Sequence, residues 1–345
     1  MSGELVVRGL GLLVDTGRPG VGVARDVDRN VPLPGGGRFV DQAIRARCRW
    51  AILFVILALL SSAGPAPSAG VVDMLGRSVS LPDRPLRLVS LAPSLTEIVF
   101  ALDRGDWLVG VTDFCDYPPE ARSKPRIGGP MTPDLERIVS LQPDLTLVTS
   151  DGNPRDTVAQ LQRLHIPVFA VRPDGYPGIL ASVEAVGRAL RTERAAAAAV
   201  RDIQDRVAAV RRAVAHRARP RVLYLVWTDP IIAAGPATYI HDLIEMAGGE
   251  NVVRDRSVPY PRLSWEEIVS AAPEVILVAN HRDDPDLPLT GEVWKGWRNV
   301  PAVRSGRIVA VPGDTILRPG PRVVEGVERL ARAIHPEAFA RLGTR

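Results

Sequence analysis

The fold of this chain is decided by a repeated stretch of sequence, LERIVSLQPD at residues 135–144 and WEEIVSAAPE at residues 265–274. Each copy runs directly into an apolar stretch that predicts a buried strand, so the repeated unit is a short helix, a turn with proline and an acidic residue, and a strand. The repetition predicts two similar lobes, and two-lobed α/β proteins usually bind a ligand in the cleft between the lobes. Each copy also carries a glutamate at the same place, Glu136 and Glu266.

The composition is that of a nearly neutral globular body. The chain has 345 residues, of which 46% are hydrophobic, and this is enough for two lobes with buried cores. Eight of the 43 basic side chains and five of the 39 acidic ones lie in residues 1–70, so the remainder carries 35 basic against 34 acidic groups. Because a nucleic-acid-binding domain has a net basic surface, this balance disfavours a nucleic-acid partner.

Residues 45–69 have the pattern of a secretory signal peptide. Three arginines around Cys48 precede an apolar run at residues 50–60, and small residues follow it as far as Ala69. The run is shorter than the roughly 20 residues of a membrane span, so we expect an exported protein cleaved near Ala69. An uncleaved anchor and a buried core helix are the alternatives. Cleavage there leaves Cys115 as the one remaining cysteine, so no disulfide is expected within the mature chain.

Strand and helix patterns alternate through the rest of the chain, which predicts parallel sheets covered by helices. We therefore predict an α/β protein of two similar lobes, each a mostly parallel sheet with flanking helices, joined by one long rigid α-helix. The predicted divisions are an upstream extension and signal peptide at residues 1–69, an N-terminal lobe at 70–176, an interlobe helix at 177–218 and a C-terminal lobe at 219–345.

The interlobe helix is predicted from the composition of residues 179–216. This window has no proline, no glycine after Gly187 and a run of alanines at its centre, so its summed helix propensity is high. A continuous helix over the window would be a rod of roughly 50 Å that could stiffen the hinge. Two helices with an unmarked turn between them are the alternative.

Aromatic side chains occur where the predicted strands end, which is where parallel sheets bind ligands. Phe114 and Tyr117 follow the second strand of the first lobe, Trp227 follows the first strand of the second lobe, and Tyr260 lies between two prolines. Their rings are suited to line a cleft for a large flat molecule. The alternative is that they cover the edges of the core.

Charged residues offer further candidate contacts. Asp314 follows the last strand and could accept hydrogen bonds from a ligand, or else cap a helix. Arg262, Arg318 and Arg322 could hold an anionic ligand through bidentate contacts, with a solvated surface position as the alternative for each.

The sequence carries no recognisable catalytic or metal-binding motif. Its five histidines are scattered, without a His-Glu-x-x-His pair. A phosphate-binding loop ending in Gly-Lys-Ser/Thr and a Gly-x-Ser-x-Gly nucleophile elbow are also missing. We therefore predict a protein that is not an enzyme, with no catalytic residues, no metal site and no cofactor of its own.

With these residues in view, the chain resembles the periplasmic binding proteins of ABC importers that carry cobalamin, ferric siderophores and haem, most closely the cobalamin-binding branch. The resemblance runs from about Arg84 to Phe339. The matching segments are VSLAPSLTE at 89–97, DYPP at 116–119, LERI at 135–138, GGEN at 248–251 and VPYP at 258–261.

The resemblance implies two lobes joined by one long helix, with one glutamate on each lobe that docks to a permease subunit. The matching positions are Glu136 and Glu266, for which an acidic residue suited to the helix dipole is the alternative. It also implies that Phe114 and Tyr260 pack on a corrin ring and that Asp314 is a polar contact from the second lobe.

The chain departs from the cobalamin binders at two aromatic positions. Pro130 replaces a tryptophan that precedes the docking glutamate, and a second tryptophan is replaced near Thr149. We therefore expect weaker stacking on a corrin ring, and another corrinoid, haem or a ferric siderophore stays an alternative ligand.

The function that the resemblance implies is that of a periplasmic receptor, expected to be a monomer, that captures a corrinoid or another iron or cobalt chelate and delivers it to an ABC permease dimer. A ferric siderophore or haem receptor is the alternative, favoured if Arg262, Arg318 and Arg322 line the cleft. A tetrapyrrole metal chelatase is less favoured, because it would need a cytoplasmic chain and a His/Glu pair facing the cleft.

Overall fold

The structure is a computed structural model that describes residues 70–82, 86–280 and 292–340. The upstream extension and signal peptide predicted for residues 1–69 lie outside the described residues. None of the described helices combines the length and the apolar character that crossing a lipid bilayer requires.

The N-terminal lobe is a four-stranded parallel sheet with helices packed against it. Its elements are, in chain order, β1 (Val71–Val72), β2 (Ser78–Val79), β3 (Leu88–Ser90), α1 (Pro93–Ala101), β4 (Leu108–Val111), α2 (Leu135–Ser140), β5 (Leu145–Thr149), α3 (Arg155–Arg163) and β6 (Val168–Val171). The strand order is β4-β3-β5-β6, and β1 and β2 form a separate antiparallel hairpin. The carboxyl ends of all four parallel strands therefore open at one edge of the sheet.

Two helices follow this lobe, α4 (Gly175–Ala189) and α5 (Glu193–Val214). The single rigid helix predicted over residues 177–218 is therefore wrong. The chain turns at Arg191, which has the left-handed φ of +56°, and the Thr192 N–H donates to the carbonyl of Gly187 at 2.8 Å. A left-handed residue after a helix is usually glycine; here an arginine takes that conformation, so the composition gave no sign of the turn.

The C-terminal lobe is a five-stranded, mostly parallel sheet with flanking helices. Its elements are β7 (Arg221–Thr228), β8 (Ile231–Ala233), α6 (Tyr239–Met246), β9 (Glu250–Asn251), α7 (Trp265–Ala271), β10 (Val275–Asn280), a 3-10 helix (Glu292–Trp297), α8 (Pro301–Arg304), β11 (Ile308–Pro312), α9 (Gly313–Ile316), α10 (Val323–Ile334) and α11 (Pro336–Phe339). The order is β11-β10-β7-β8 with β9 also paired to β7, and β8 is antiparallel to its neighbour. The predicted fold class, an α/β protein of two lobes with mostly parallel sheets, is confirmed.

Helix α5 takes the connecting role that the sequence assigned to a longer rod. It has 22 residues, or about 33 Å at 1.5 Å per residue, and it contacts α1 of the first lobe and α10 of the second. Arg206 donates two hydrogen bonds to the Glu328 carboxylate of α10, at 3.0 and 3.1 Å. The buried residues of α5 recur every three or four positions and form one stripe along the helix. They are Ala196, Val200, Ile203, Val207, Val210 and Val214.

The duplicated sequence forms the same local structure in both lobes. Asp144 accepts a hydrogen bond from the N–H of Arg87 at 2.9 Å, and Glu274 accepts the equivalent bond from the N–H of Arg221 at 2.8 Å. In each case the acidic residue of the turn ties the end of its helix to the start of a neighbouring parallel strand, β3 in the first lobe and β7 in the second. The repeat is therefore a structural duplication as well as a sequence pattern.

The buried apolar side chains form three clusters in the described residues. The largest runs through both lobes and includes the inner faces of α4 and α5. The other two lie on the opposite face of each sheet, one within the C-terminal lobe and one within the N-terminal lobe. Because the main core is continuous through α5, the two lobes share buried surface and are not joined by a flexible linker.

The turn between α4 and α5 predicts that Gly187→Ala destabilises the protein. A methyl group at this position would overlap the Cβ of Ala196, and overpacking of this kind costs about 1–3 kcal/mol. In one continuous helix the two positions would be about 13 Å apart along the axis, and the same substitution would instead stabilise by about 1 kcal/mol. Urea unfolding followed by far-UV circular dichroism measures the sign.

Gly296→Ala is the matched control, because a methyl group there meets no atom within 4 Å. Its effect should stay within about 0.5 kcal/mol. Stabilisation by Gly187→Ala would contradict the packing of α4 on α5.

Candidate functional site

A cavity of 510 Å³ lies between the two lobes. The N-terminal lobe contributes Pro93, Asp113, Phe114, Asp116 and Pro130, and the C-terminal lobe contributes Asn280, Gly313, Asp314, Leu317 and Arg318. These residues lie at or after the carboxyl ends of β3, β4, β10 and β11, where parallel sheets place their ligand sites. The volume is within the range of about 300–1,000 Å³ that is typical of small-molecule pockets.

Phe114 reaches the cavity from a loop that is firmly held. The Asp113 N–H donates to the carbonyl of Gly128 at 3.0 Å, and Arg126 donates to the carbonyls of Thr112 and Cys115, both at 2.7 Å. The Phe114 ring is 56% exposed, so it presents an apolar face to the cleft without being part of the core. An aromatic ring that is exposed to the cleft and carried by a fixed loop is well placed to pack on a ligand.

Asp314 faces the same cavity from the other lobe. It lies in the first turn of α9, directly after β11, and one carboxylate oxygen is 2.8 Å from Nη2 of Arg318. The start of α9 packs so closely on β10 that a Cβ at Gly313 would come within 2.9 Å of the Asn280 carbonyl oxygen. The structure therefore brings Phe114 and Asp314 together across the cleft.

Tyr117 contacts the opposite lobe but does not line the cavity. The guanidinium carbon of Arg322 lies over its ring, 3.9 Å from the centroid, and the ring is 42% exposed. A cation over an aromatic face at this distance is stabilising. Tyr117 therefore contributes to the contact between the lobes at the margin of the cavity.

Tyr260 also lies outside the lining of the 510 Å³ cavity. Burial by the surrounding protein, together with the negative charge of Asp151 from the other lobe, raises its pKa to about 12. Asp151 follows β5, so Tyr260 faces the carboxyl edge of the N-terminal sheet. Its ring is 43% exposed and remains available at the rim of the cleft.

The structure does not bring Trp227 and Arg262 to the cavity between the lobes. Trp227 is exposed, and its indole N–H donates to the carbonyl of Asp229 at 2.7 Å. Arg262 lines a separate cavity of 400 Å³ inside the C-terminal lobe, which also includes Val258 and Glu267. Of the ligand contacts predicted from the sequence, Phe114 and Asp314 are the pair that share the interlobe cavity.

Arg318 and Arg322 cross the boundary between the lobes and are paired with carboxylates there. Arg318 Nη1 lies 2.7 Å from Asp116 Oδ1 and 3.5 Å from Glu97 Oε1. Arg322 binds Glu97 through two bonds, with Nη2 2.6 Å from Oε1 and Nε 3.0 Å from Oε2. The side chain of Glu97 is only 1% exposed. We call Glu97, Asp116, Asp314, Arg318 and Arg322 the interlobe ion cluster.

Glu97 and Asp116 are the members of this cluster that sequence reasoning missed as site residues, and Glu97 is the more deeply buried of the two. Burial raises its pKa, while the hydrogen bonds and charges of Arg322 and Arg318 oppose that rise. The available signal was an acidic residue within an apolar helix, in the segment LTEIVFA at residues 95–101. A buried carboxylate needs a cationic partner, but the sequence does not show that the partner is 225 positions away.

The two glutamates of the repeat are exposed at equivalent places. Glu136 is in the first turn of α2, which Asp134 caps by accepting from the N–H of Arg137 at 2.9 Å. Glu266 is in the first turn of α7. Each helix precedes a strand of a parallel sheet, so its start lies at the carboxyl edge that faces the cleft. The two carboxylates therefore flank the same side of the molecule.

A capping box holds the start of α7. The Ser264 N–H donates to Glu267 at 2.7 Å, and the Glu267 N–H donates to the Ser264 hydroxyl at 3.3 Å. Glu267 is held by the cap, whereas Glu266 projects into solvent.

The described residues contain no group of three or more His, Cys, Asp or Glu side chains placed to hold a metal ion. Cys115 is free and buried, with its sulfur 3.1 Å from the hydroxyls of both Thr96 and Thr112. Burial raises the pKa of its thiol, which lowers its reactivity as a nucleophile.

Comparison with known proteins gives a family match over residues 88–315, to the family described as periplasmic binding protein. The vitamin B12-binding protein of Vibrio cholerae serotype O1 is 30% identical over 245 residues, which is 71% of this chain and 87% of that protein. The cobalamin-binding protein of Halobacterium salinarum is 35% identical over 272 residues, which is 76% of this chain and 73% of that protein.

Solved structures show the same fold. The periplasmic vitamin B12 binding protein BtuF of Vibrio cholerae superposes with a TM-score of 0.65 at 29% identity, covering 74% of this chain and 98% of that one. The periplasmic heme-binding protein RhuT from Roseiflexus sp. RS-1, in its apo form, gives a TM-score of 0.65 at 29% identity, covering 73% and 98%.

The interlobe ion cluster predicts that Arg322→Met lowers the free energy of unfolding by about 3 kcal/mol at neutral pH, because Glu97 loses its bidentate partner while still buried. Without Arg322 the folded-state pKa of Glu97 rises further above its ordinary 4.5. A carboxyl with a raised folded-state pKa stabilises the fold below its unfolded pKa and loses that contribution as pH rises through the folded value. The deficit of the variant should therefore shrink between about pH 8 and about pH 5.

Urea unfolding at several pH values measures this deficit. Arg217→Met is the control, because Arg217 and Glu337 form an exposed pair at 3.8 Å that should contribute less than about 0.5 kcal/mol. A deficit of Arg322→Met that is equally small, or that grows as pH falls, would contradict the pairing described for Glu97.

Proposed function

The chain belongs to the periplasmic binding protein family, and from that premise we propose that it captures a corrinoid in the cavity between its lobes and delivers it to an ABC importer. The observation that carries the proposal is the cavity itself, which both lobes line, with Phe114 contributed by the first lobe and Asp314 by the second. Relatives named as vitamin B12-binding and cobalamin-binding proteins support the corrinoid class. The family is a class of binding proteins without catalytic activity. The function that we propose is therefore that of a transport receptor and not that of an enzyme.

A haem or ferric siderophore receptor is the second candidate, because a heme-binding protein shares the fold at 29% identity. From the sequence, this alternative would be favoured if Arg262, Arg318 and Arg322 all lined the cleft and offered their charges to a ligand there. Arg318 lines the cavity, but it and Arg322 are paired with carboxylates of the protein, and Arg262 lines another cavity. The corrinoid proposal is preferred for this reason. No histidine lines the interlobe cavity among the described residues, which disfavours the chelatase alternative.

We further propose that Glu136 and Glu266 dock the loaded protein onto a permease dimer. Both are exposed, both are in a first helical turn, and both flank the cleft. Exposed ion pairs are individually weak, so two of them act by bivalency and by fixing the orientation of the receptor. The protein would act as a monomer in the periplasm after removal of the segment up to about Ala69.

Titration of the protein, starting at residue 70, with cobalamin, cobinamide, haem and ferric siderophores tests the ligand class. We expect a corrinoid to bind with a dissociation constant of about 1 μM or tighter, measured by isothermal calorimetry and tryptophan fluorescence. Phe114→Ala should weaken that binding about tenfold or more, because it removes an exposed aromatic ring from the lining of the cavity.

Met131→Ala is the control for Phe114, because Met131 is an exposed apolar side chain outside the cavity lining. Its affinity should equal that of the wild type. Saturable binding of a siderophore or haem, with no response to either corrinoid, would overturn the proposal in favour of the second candidate.

The docking proposal predicts that the double variant Glu136→Lys with Glu266→Lys abolishes corrinoid uptake in cells that carry the cognate permease. Its affinity for the ligand in solution should be unchanged, because neither side chain lines the cavity. The control double variant, Glu184→Lys with Glu337→Lys, makes the same charge change at exposed positions elsewhere and should transport normally. Wild-type uptake by the first double variant would remove these two glutamates from the docking role.

A further inference from the structure

The interlobe cavity has an excess of negative charge. Among the described residues its lining carries three carboxylates, Asp113, Asp116 and Asp314, and one guanidinium, Arg318. Glu97 and Arg322 form an ion pair with each other and add one charge of each sign. The summed charge of these described residues is therefore negative even after every pairing within the interlobe ion cluster is counted.

Arg318, the guanidinium that the described residues contribute to the lining, has its donors directed at protein carboxylates. Arg318 approaches Asp116 at 2.7 Å, Asp314 at 2.8 Å and Glu97 at 3.5 Å, and its side chain is only 11% exposed. A carboxylate at the edge of a ligand would have to displace one of these protein carboxylates before it could bind the guanidinium of Arg318. Displacement would leave a protein carboxylate unpaired and buried, which is costly.

Asp113 extends the acidic surface into the open part of the cavity. It is exposed and forms no ion pair with the described residues. Ionised carboxylates accept hydrogen bonds and donate none, so Asp113 and Asp314 offer acceptors to groups around the edge of a ligand. Amide N–H₂ groups and cations satisfy such acceptors, whereas ligand carboxylates are repelled by them.

The rest of the lining suits the faces of a macrocycle. Pro93, Phe114, Pro130 and Leu317 are apolar and come from both lobes. The cavity thus combines apolar surface for a flat ring with acidic acceptors for the groups at its edge.

From this arrangement we propose that the cavity selects ligands by the charge of their periphery, accepting macrocycles that carry amide or cationic side groups and rejecting those that carry carboxylates. The inference rests on the proposed corrinoid function and adds to it the basis of discrimination against haem, whose edge bears carboxylates, and against carboxylate siderophores. An excess of charge of the same sign as the ligand's own is an effective means of rejecting a wrong ligand.

Two corrins that differ only at the periphery provide the test. Dicyanocobinamide and dicyanocobyrinic acid share the ring, the cobalt and both axial cyanides, but the first carries amide side groups and the second carries carboxylates. Occupied axial positions keep protein side chains from binding the metal. The wild type should bind the amide corrin at least about tenfold more tightly than the carboxylate corrin at low salt, and this difference should shrink as ionic strength rises.

The variant Asp113→Asn with Asp314→Asn removes two of the three lining carboxylates while Arg318 keeps its contact with Asp116. We expect its discrimination between the two corrins to fall about tenfold, chiefly through tighter binding of the carboxylate corrin. Asp205→Asn is the matched control, because it makes a change of the same kind at an exposed position of α5, and it should leave discrimination unchanged.

The outcomes separate this inference from the proposed function. Equal affinity of the wild type for both corrins, or discrimination that the double variant retains in full, would overturn the inference and leave corrinoid binding intact. Failure of the wild type to bind either corrin would overturn the proposed function and the inference together.

Discussion

The buried carboxylate of Glu97 and the two guanidinium groups that approach it are the contact on which the rest of the site depends. Removal of a carboxylate from water costs several kcal/mol unless cations and hydrogen bonds replace the water. The two cations that take the place of water around Glu97 are Arg318 and Arg322, and both come from the other lobe. Glu97 is therefore satisfied only while the two lobes keep one relative position, and that position also sets the distance across the cavity.

The same pairing determines what the cavity offers to a ligand. Since Arg318 is shared among Asp116, Asp314 and Glu97, the cations of the cleft are used to hold the protein together. The surface left for a ligand is apolar on its faces and acidic at its edges. Structural and recognition roles are thus coupled, because a change that freed either arginine would alter the register of the lobes and the charge of the cavity at once.

Duplication explains why the outer features come in pairs. Each lobe has a mostly parallel sheet, a short capped helix with an exposed glutamate, and an acidic turn residue bonded to the start of β3 or of β7. The sequence predicted this part well, because helix caps, Pro-acidic turns and apolar strands are local signals. It failed at residues 177–218, where Arg191 adopts a left-handed conformation that composition does not indicate, and it placed Arg262 and Trp227 in a cleft that they do not line.

The sequence by itself determined the two-lobed α/β architecture, the places of Phe114 and Asp314 at strand ends, and the repeated glutamates, because each follows from residue order within a few turns of chain. Only the tertiary structure decided which arginines are free and which are paired, where the connecting helix begins, and that the cavity is acidic. These properties depend on contacts such as that between Glu97 and Arg322, 225 positions apart. No local pattern encodes such a distance, since it arises when the packing of α5 brings the two lobes together.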